Sequence, residues 1–322
     1  MNVLVTGGAG YVGSTLVPLL LGKGHNVRVL DSLLHGGDTL LGSWAHPCFD
    51  FVNGDVRDAS AVRTALEGIE AVVHLAAIVG DPACARSPED ARAINQDGSL
   101  GIIDAAKRAG ASRFIFASTC SNYGKMKDPN GYVDETSELS PVSLYAETKV
   151  AVERALLEAG AGDGFSGTPL RFATVFGVSP RMRFDLTVNE FTMEMITKGK
   201  LVVFGEQFWR PYVHVADAGR AIALVLESPT EVVRGQVFNV GSTTQNYQKQ
   251  QLVDLIQPYA PHAEVEYVHK AEDPRDYRVS FARINDKLGF QTTRGVDDGI
   301  REVAGLVRSG VIKDFGDARF RN

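Results

Sequence analysis

The stretch VLVTGGAGYVG, residues 3–13, decides the fold prediction. A short β-branched run followed by glycines at positions 7, 10 and 13 predicts a strand, a tight turn and a helix over 11–23. Gly7 permits the turn, Gly10 lets a pyrophosphate approach the backbone, and the helix N-terminus offers unpaired N–H groups. The stretch therefore predicts a dinucleotide site that contains Gly7, Gly10, Tyr11, Val12 and Gly13.

Beyond this stretch, short apolar runs alternate with amphipathic segments through the first half of the chain. The predicted strands lie at 3–6, 27–30, 51–52, 71–75 and 114–117, and the predicted helices at 11–23, 58–67, 88–109 and 143–160. Strands that alternate with helices of this length form parallel βαβ units with right-handed crossovers. We therefore predict an α/β fold, a doubly wound parallel sheet of the Rossmann type with helices on both faces.

From about residue 175 the alternation breaks down. The arginine-rich segment SPRMRFD at 179–185 precedes a predicted helix near 186–198 and short segments at 201–204 and 211–213. A helix at 215–227 and a strand at 237–240 again look like parts of the main sheet. We expect residues 1–174, with returns near 212–242, to bind the dinucleotide, and residues 175–211 and 243–322 to form mainly an interleaved, smaller α/β substrate-binding cap. The last dozen residues are expected to form a mobile tail.

The composition narrows the class of partner. The chain has 322 residues and a formal net charge of -6, which argues against a nucleic-acid-binding surface. Its three cysteines, Cys48, Cys84 and Cys120, are widely spaced, so neither a disulfide framework nor a metal site is indicated. No run approaches the roughly 18 apolar residues of a membrane span. We expect a cytoplasmic protein that binds no metal, nucleic acid or membrane.

Two carboxylates follow predicted strands at the edge where the dinucleotide would lie. Asp31 ends the second strand, where its carboxylate could accept both ribose hydroxyls and would repel a 2′-phosphate. No Arg or Lys occurs at 32–37, so NAD is favoured over NADP. Asp55 follows the third strand and could bind the adenine amino group, or it could simply begin a helix.

A tyrosine and a lysine one helical turn apart point to the chemistry. Tyr145 and Lys149 share one helix face, and a nearby ammonium favours the phenolate that a tyrosine base requires. This spacing alone is common on solvated helix faces. Thr119 gives it meaning, because it ends the fifth strand at the ligand-binding edge and could bond a substrate hydroxyl or the tyrosine oxygen.

Taken together, these motifs resemble the extended short-chain dehydrogenase/reductases of the nucleotide-sugar epimerase and dehydratase group. The matching stretches are GGAGYVG, Asp55-Val56, His74 to Ala77, Ser118 to Gly124, Tyr145 with Lys149, and Arg210 to Asp217. The resemblance implies that NAD also contacts Val56, Leu75, Ala76 and Ala77. It further implies that Tyr145 deprotonates a sugar hydroxyl, usually at C4, that Lys149 also bonds the nicotinamide ribose, and that a 4-keto sugar results.

The residue after Thr119 bears on the outcome of the reaction. Related 4,6-dehydratases carry Asp and Glu there, whereas this chain has Cys120 and Ser121. We therefore predict a nucleotide-sugar epimerase that oxidises the sugar transiently. The alternatives are a net-redox NDP-sugar 4-dehydrogenase or ketoreductase, a dehydratase that uses Cys120 as acid or base, and a non-catalytic NAD-binding regulator. Cys120 is equally well explained as a small packing residue.

The resemblance also indicates residues for the sugar nucleotide. Arg210 matches a family arginine that precedes Tyr-Val-His-Val and is the leading diphosphate ligand, joined by Arg275 or Arg278. Arg181, Arg183 and Asn189 could line the sugar or diphosphate pocket, and Thr174 stands where the family commonly has Asn. Family members usually pair through the helices predicted here at 88–109 and 143–160, so a homodimer is expected. His74 and His214 are expected to be packed rather than chemical.

Overall fold

The computed structural model describes residues 1–128, 130–162, 164–273 and 275–322, and its main feature is a seven-stranded sheet. The strands are β1 Asn2–Thr6, β2 Asn26–Asp31, β3 Phe49–Asn53, β4 Ala71–His74, β5 Arg113–Thr119, β6 Ser166–Phe172, β7 Thr174–Phe176, β8 Lys200–Phe204, β9 Trp209–His214, β10 Phe238–Val240, β11 Asn246–Gln248 and β12 Glu264–Val268. The α-helices are α1 Gly13–Gly22, α2 Leu41–Trp44, α3 Ala59–Leu66, α4 Asp81–Arg86, α5 Pro88–Arg92, α6 Ser99–Arg108, α7 Leu144–Ala159, α8 Thr187–Lys198, α9 Val215–Glu227, α10 Thr230–Val233, α11 Lys249–Ile256, α12 Ala282–Leu288 and α13 Val296–Ser309.

The main sheet has the strand order β10-β6-β5-β4-β1-β2-β3, with every neighbouring pair parallel. Leu16 and Leu20 of α1 pack with Ile222 of α9 on one face of this sheet. Ile102 of α6 and Leu156 of α7 pack on the other face. Each fully buried side chain of this kind contributes about 1.5–3 kcal/mol through the hydrophobic effect. The prediction of a doubly wound parallel sheet is confirmed.

Two smaller sheets belong to the second half of the chain. One has the order β11-β9-β7 and the other pairs β12 with β8. Phe191 and Met195 of α8 pack beside Tyr212 of β9, together with residues of α11 and α13. The segment at 211–213 therefore lies in a small sheet, while the strand predicted at 237–240 returns to the main sheet as β10.

Two local expectations differ from the structure. The single helix predicted over 88–109 is interrupted by a π-helical turn at Ala93–Gly98. The turn carries Asn95, whose amide accepts from the Ile78 N–H at 2.7 Å and donates to the Ile78 carbonyl at 2.8 Å. These two hydrogen bonds stabilise the π-helical turn with its extra residue, because they hold the backbone just after β4 in place.

The C-terminal segment is packed rather than mobile as expected. The Phe184 N–H donates to the Phe320 carbonyl at 2.9 Å, and the two rings meet edge to face at 5.7 Å. The Asn322 N–H donates to the Asp185 carboxylate at 3.1 Å, and Arg86 donates to the Asn322 carbonyl at 2.8 Å. Among the described helices, none has the length and apolar character needed to cross a membrane.

Candidate active site

One cavity opens at the carboxyl ends of the central parallel strands. The predicted site residues that line it are Gly7, Gly10, Tyr11, Val12, Gly13, Asp31, Asp55, Val56, Leu75, Ala76, Ala77, Thr119, Tyr145, Lys149, Thr174 and Arg183. Four other predicted residues do not line it, namely Cys120, Asn189, Arg210 and Arg275. Residues that lie 138 positions apart in the sequence, Gly7 and Tyr145, thus meet in one space.

The glycine loop has space for the backbone and a ligand, but none for side chains at Gly7 and Gly13. Gly7 has φ of +70°, and a Cβ there would lie 2.8 Å from the Ala76 nitrogen. A Cβ at Gly13 would lie 2.3 Å from the Gly7 carbonyl oxygen. Within the described part of the chain, no hydrogen bond uses the backbone N–H of Tyr11, Val12 or Gly13. These donors at the start of α1 fit the pyrophosphate of a dinucleotide.

Asp31 is fixed at the end of β2. Its carboxylate accepts from the Ala9 N–H at 2.9 Å and from the Leu33 N–H at 2.8 Å. Burial raises its pKa and these two bonds oppose the rise. His35 also lines the cavity, but burial, together with Arg181 and Arg183, lowers its pKa to about 4, so it is neutral at pH 7. Neither group would compensate a 2′-phosphate, which agrees with a site for NAD.

Asp55 lies farther along the same cavity and is held by Arg57. The Arg57 guanidinium donates to both carboxylate oxygens, at 3.0 and 2.8 Å. This hydrogen-bonded partner lowers the pKa of Asp55, so the carboxylate is charged. Asp31 and Asp55 are the only residues with side-chain carboxylates among the described lining residues.

A second part of the cavity is lined by Thr119, Tyr145 and Lys149. It lies away from β2 and β3, the strands that precede the two carboxylates. The Thr119 hydroxyl oxygen accepts from the Ser121 N–H at 3.1 Å, so its own hydrogen remains available to donate. Lys149 is 2% exposed, and its ammonium donates to the Ala117 carbonyl at 2.8 Å and lies 5.8 Å from the Tyr145 ring centre. The described contacts include no hydrogen bond from the Tyr145 hydroxyl, which leaves it available to a ligand.

The electrostatics of this pair differ from the simplest expectation. Burial raises the pKa of Tyr145 well above its usual value, Cys84 raises it further, and Arg183 is the cation that lowers it. Lys149 is absent from these influences, and burial lowers its own pKa to about 8. The shared helix face is confirmed by the 5.8 Å distance from the Lys149 ammonium to the Tyr145 ring centre, while burial opposes the phenolate.

Cys120 lies behind the cavity. It is 1% exposed, and its thiol donates to the Arg171 carbonyl at 3.2 Å. Burial raises the pKa of this thiol well above its ordinary value, which opposes an acid or base role. Its neighbour Ser121 lines the cavity instead. The position of Cys120 therefore supports the packing interpretation.

The two arginines expected to bind a diphosphate are engaged elsewhere. Arg210 donates to the Asp273 carboxylate at 2.6 Å and to the Trp209 carbonyl at 2.7 Å, and it lies over the Tyr277 ring. Arg275 forms an ion pair with Asp81 and lies 3.7 Å from Asp273. Neither guanidinium lines the cavity, because nearby carboxylates hold both of them.

Asn189 is a structural residue. It is fully buried, and its amide accepts from the Gly177 N–H at 2.9 Å and donates to the Arg183 carbonyl at 2.9 Å. It also donates to the Tyr11 hydroxyl, which in turn donates to the Gly177 carbonyl at 2.6 Å. Asn189 thus ties the loop after β7 to the glycine loop and has no group left for a sugar.

The expectation that His74 and His214 are packed residues is confirmed. The Ser99 hydroxyl donates to the Asn95 carbonyl, so it accepts from His74 Nε2, while Thr6 donates to Nδ1 at 2.6 Å. Burial lowers the pKa of His74 to about 3. His214 caps α9 by accepting from the Ala216 N–H, and its other nitrogen donates to Glu302 at 2.9 Å.

Several lining residues were not predicted from the sequence, among them Leu186, Tyr277 and Asn322. Tyr277 lies between Arg275 and Arg278, and the sequence prediction concerned these two arginines rather than the tyrosine. Asn322 reaches the cavity only because the C-terminal segment folds back, and no sequence signal indicates that contact. Arg181, which is predicted with Arg183 to line the pocket, is buried in the cavity wall.

Four features of the structure define an NAD-dependent enzyme of the short-chain dehydrogenase/reductase type. They are the parallel sheet, the glycine loop, the acidic residue at the end of the second strand, and the Tyr-Lys pair that faces the same cavity. Residues 3–241 match the NAD dependent epimerase/dehydratase family. The chain belongs to this family, and the residues around the glycine loop fit its cofactor.

Individual relatives include both kinds of enzyme. UDP-glucose 4-epimerase from Corynebacterium glutamicum is 29% identical over 309 residues, covering 90% of each chain. The solved dTDP-glucose 4,6-dehydratase of Streptomyces venezuelae, with NAD bound, has a TM-score of 0.85 and 27% identity, covering 96% of this chain and 98% of that one. UDP-glucose 4-epimerase from Thermus thermophilus, in complex with NAD, has a TM-score of 0.81 and 26% identity, covering 97% of this chain and 100% of that one.

Proposed function

We propose that this protein is a nucleotide-sugar epimerase that oxidises a sugar hydroxyl, at C4, and reduces the resulting ketone from the opposite face. The observation that carries the proposal is the shared cavity, in which Thr119, Tyr145 and Lys149 lie with the glycine loop. The relatives named UDP-glucose 4-epimerase support the same reaction. Bound NAD would supply the hydride acceptor and a positive charge near the phenol.

The protein side chains then divide the work of proton transfer and orientation. The Tyr145 hydroxyl makes no bond to the described protein groups, so it can contact the sugar. As a phenolate, which the charges of Lys149 and of bound NAD would favour, its oxygen takes the sugar hydroxyl proton and returns it later. The Lys149 ammonium is held in place by its hydrogen bond to the Ala117 carbonyl. Its positive charge therefore lies on the same face of α7 as Tyr145. Thr119 donates its hydrogen bond to the sugar oxygen, since its lone pair already accepts from Ser121.

The lining residues favour epimerisation over dehydration. Loss of water next to a ketone requires one group to remove a C–H proton and another to protonate the leaving hydroxyl. Near Thr119 the described lining residues offer hydroxyl groups, including those of Ser121, Thr174 and Tyr277, and the cavity's side-chain carboxylates, Asp31 and Asp55, belong to the end after β2 and β3. The buried thiol of Cys120 is not available to supply the missing group.

For the substrate we propose a nucleoside diphosphate sugar that contacts Thr119, Thr174 and Arg183, all of which line the cavity. Arg183 forms an ion pair with Asp185 at 2.7 Å, so it presents a fixed guanidinium beside the sugar position. We also propose the division of labour given by the sequence, with residues 1–174 binding mainly cofactor and the later segments covering the substrate.

We propose further that the protein is a homodimer in the cytoplasm. Leu100 and Ala155 of the helical pair remain half-buried and could meet a second copy, whereas Ile94 lines the cavity and Ile103 and Val152 belong to the core. The three cysteines are unpaired, as expected in a reducing compartment. Light scattering coupled to size exclusion measures the mass directly, and a monomeric mass would reject the dimer.

The reaction is tested by incubating the purified protein with UDP-glucose, UDP-galactose, UDP-glucuronic acid and dTDP-glucose. An epimerase yields a product of unchanged mass and different chromatographic retention, with no accumulation of free NADH. A product lighter by one water would establish a dehydratase instead. Stoichiometric NADH formation would establish a net dehydrogenase, and binding of NAD without any conversion would leave only a regulator.

A further inference from the structure

Arg181 is a buried cation that lacks a carboxylate partner. It is 4% exposed and lines the cavity, and its Nη2 donates to the Arg321 carbonyl at 2.9 Å. Its Nε has no hydrogen-bond partner, and no ion pair includes it across the described ranges. A buried, incompletely bonded guanidinium destabilises the protein unless something else satisfies it. The position therefore calls for an anion.

The loop that carries Arg181 is fastened to the first turn of α1. The Arg181 N–H donates to the Ser14 hydroxyl at 3.3 Å, and the Ser179 hydroxyl donates to the Tyr11 carbonyl at 2.7 Å. The neighbouring N–H groups of Tyr11, Val12 and Gly13 make no hydrogen bond within the described residues. The N–H groups of the helix terminus and the unpaired charge of Arg181 thus border the same end of the cavity.

The charges around Arg181 do not cancel. Arg183 is matched by Asp185, which it contacts at 2.9 and 2.7 Å. His35 contributes no charge at pH 7, and burial followed by the proximity of Arg183 lowers the pKa of Arg181 to about 10. Of the described side chains that act on its charge, Arg183 and Asp185 offset each other, so the positive charge of Arg181 stays unbalanced. A phosphate oxygen bound in the cavity would neutralise it.

We propose that Arg181 binds the pyrophosphate of the dinucleotide, holding it between the loop after β7 and the N-terminus of α1. The dinucleotide is favoured over the diphosphate of a sugar nucleotide because Arg181 is anchored to Ser14, beside the glycine loop. The inference rests on the family's cofactor, so it holds or fails independently of which sugar reaction follows.

The test compares Arg181→Met, Arg181→Lys and Arg319→Gln by calorimetric titration of NAD into nucleotide-free protein. Arg319 is a control because it is an exposed cation close in sequence to Arg321, whose carbonyl accepts from Arg181, and its ion pair with Asp317 is local. Loss of a charge-assisted bond should weaken NAD binding about 10- to 100-fold in Arg181→Met. Arg181→Lys should fall between Met and wild type, because it keeps the charge without the fork. Arg319→Gln should stay within about twofold.

Two further measurements separate ligand binding from a structural role. Without nucleotide, Arg181→Met should melt no lower than wild type, because it removes an unpaired buried charge, while the stabilisation produced by added NAD should shrink. UDP binding to the NAD-loaded protein should be unchanged. NAD affinity within about twofold of wild type in Arg181→Met would overturn the inference, and so would a selective loss of UDP binding. If Arg181→Met does not fold, the NAD and UDP affinities of Arg181→Lys decide by the same criteria.

Discussion

The buried ion pair between Glu153 and Arg171 should be one of the most sensitive points of the fold beneath the active site. Glu153 is 2% exposed and Arg171 is 5% exposed. Arg171 donates to the carboxylate through Nη2 at 2.8 Å and through Nε at 3.1 Å. Asn122 adds a bond at 2.9 Å, and the Ser118 hydroxyl adds another. The carboxylate therefore joins α7, β6 and the segment that follows β5.

Replacing Glu153 with Ala leaves the Arg171 guanidinium buried without its counter-charge. Breaking a buried pair in this way costs about 3–5 kcal/mol. Urea unfolding followed by circular dichroism measures the loss, with Glu158→Ala as a control on the exposed face of the same helix, where a change within about 0.5 kcal/mol is expected. Turnover should also fall, because Ser118 precedes Thr119 in β5.

A double replacement distinguishes lost charge pairing from lost packing. Glu153→Leu combined with Arg171→Met removes both charges and keeps most of the volume, so it should be more stable than Glu153→Ala by about 2 kcal/mol. A loss below about 1 kcal/mol in Glu153→Ala would refute the reasoning. A double variant that loses the sum of both single effects would refute it equally, because the two groups would then act independently.

Three other perturbations have defined outcomes. Asp31→Ser should weaken NAD binding about tenfold and raise the NADP-to-NAD affinity ratio, because the carboxylate facing the cavity is lost; comparing both dissociation constants checks this. Cys120→Ala should keep turnover within about twofold, since the thiol faces the Arg171 carbonyl; a loss near a hundredfold would restore its chemical role. Burial lowers the pKa of His74 to about 3 against 6.5 for the free side chain, so the unfolded state binds the proton first, and the contribution of His74 to stability should fall by about 5 kcal/mol as pH drops from 6.5 to 3. His74→Asn should remove most of that pH dependence in urea titrations.

The parts of the site that the sequence predicted well are those governed by local spacing. The glycines of residues 7–13 follow β1 directly, so their turn and the start of α1 depend on neighbours only. Tyr145 and Lys149 share a face because four residues make about one helical turn. The end of β5 brings Thr119 to the same edge because all strands of the main sheet are parallel.

The parts that could not be predicted depend on partners far away in the chain. Arg210 is removed from the cavity by Asp273, 63 positions later, and nothing near Arg210 indicates that pairing. Asn189 is consumed by contacts with Tyr11, 178 positions away. Asn322 reaches the cavity because the segment after α13 docks on Phe184. A sequence motif that contains an arginine or an amide indicates which hydrogen bonds are possible. The tertiary structure determines which partner forms them.

The proposed reaction requires the hydroxyl of Tyr145 to transfer the sugar proton within the cofactor cavity. The most direct test is to load wild type and Tyr145→Phe with NAD, add a sugar nucleotide that wild type converts, and measure turnover beside the NAD dissociation constant. Loss of one general base should reduce turnover about a thousandfold while NAD affinity stays within about twofold. Turnover within about tenfold of wild type would contradict the claim and leave the proton transfer to another group.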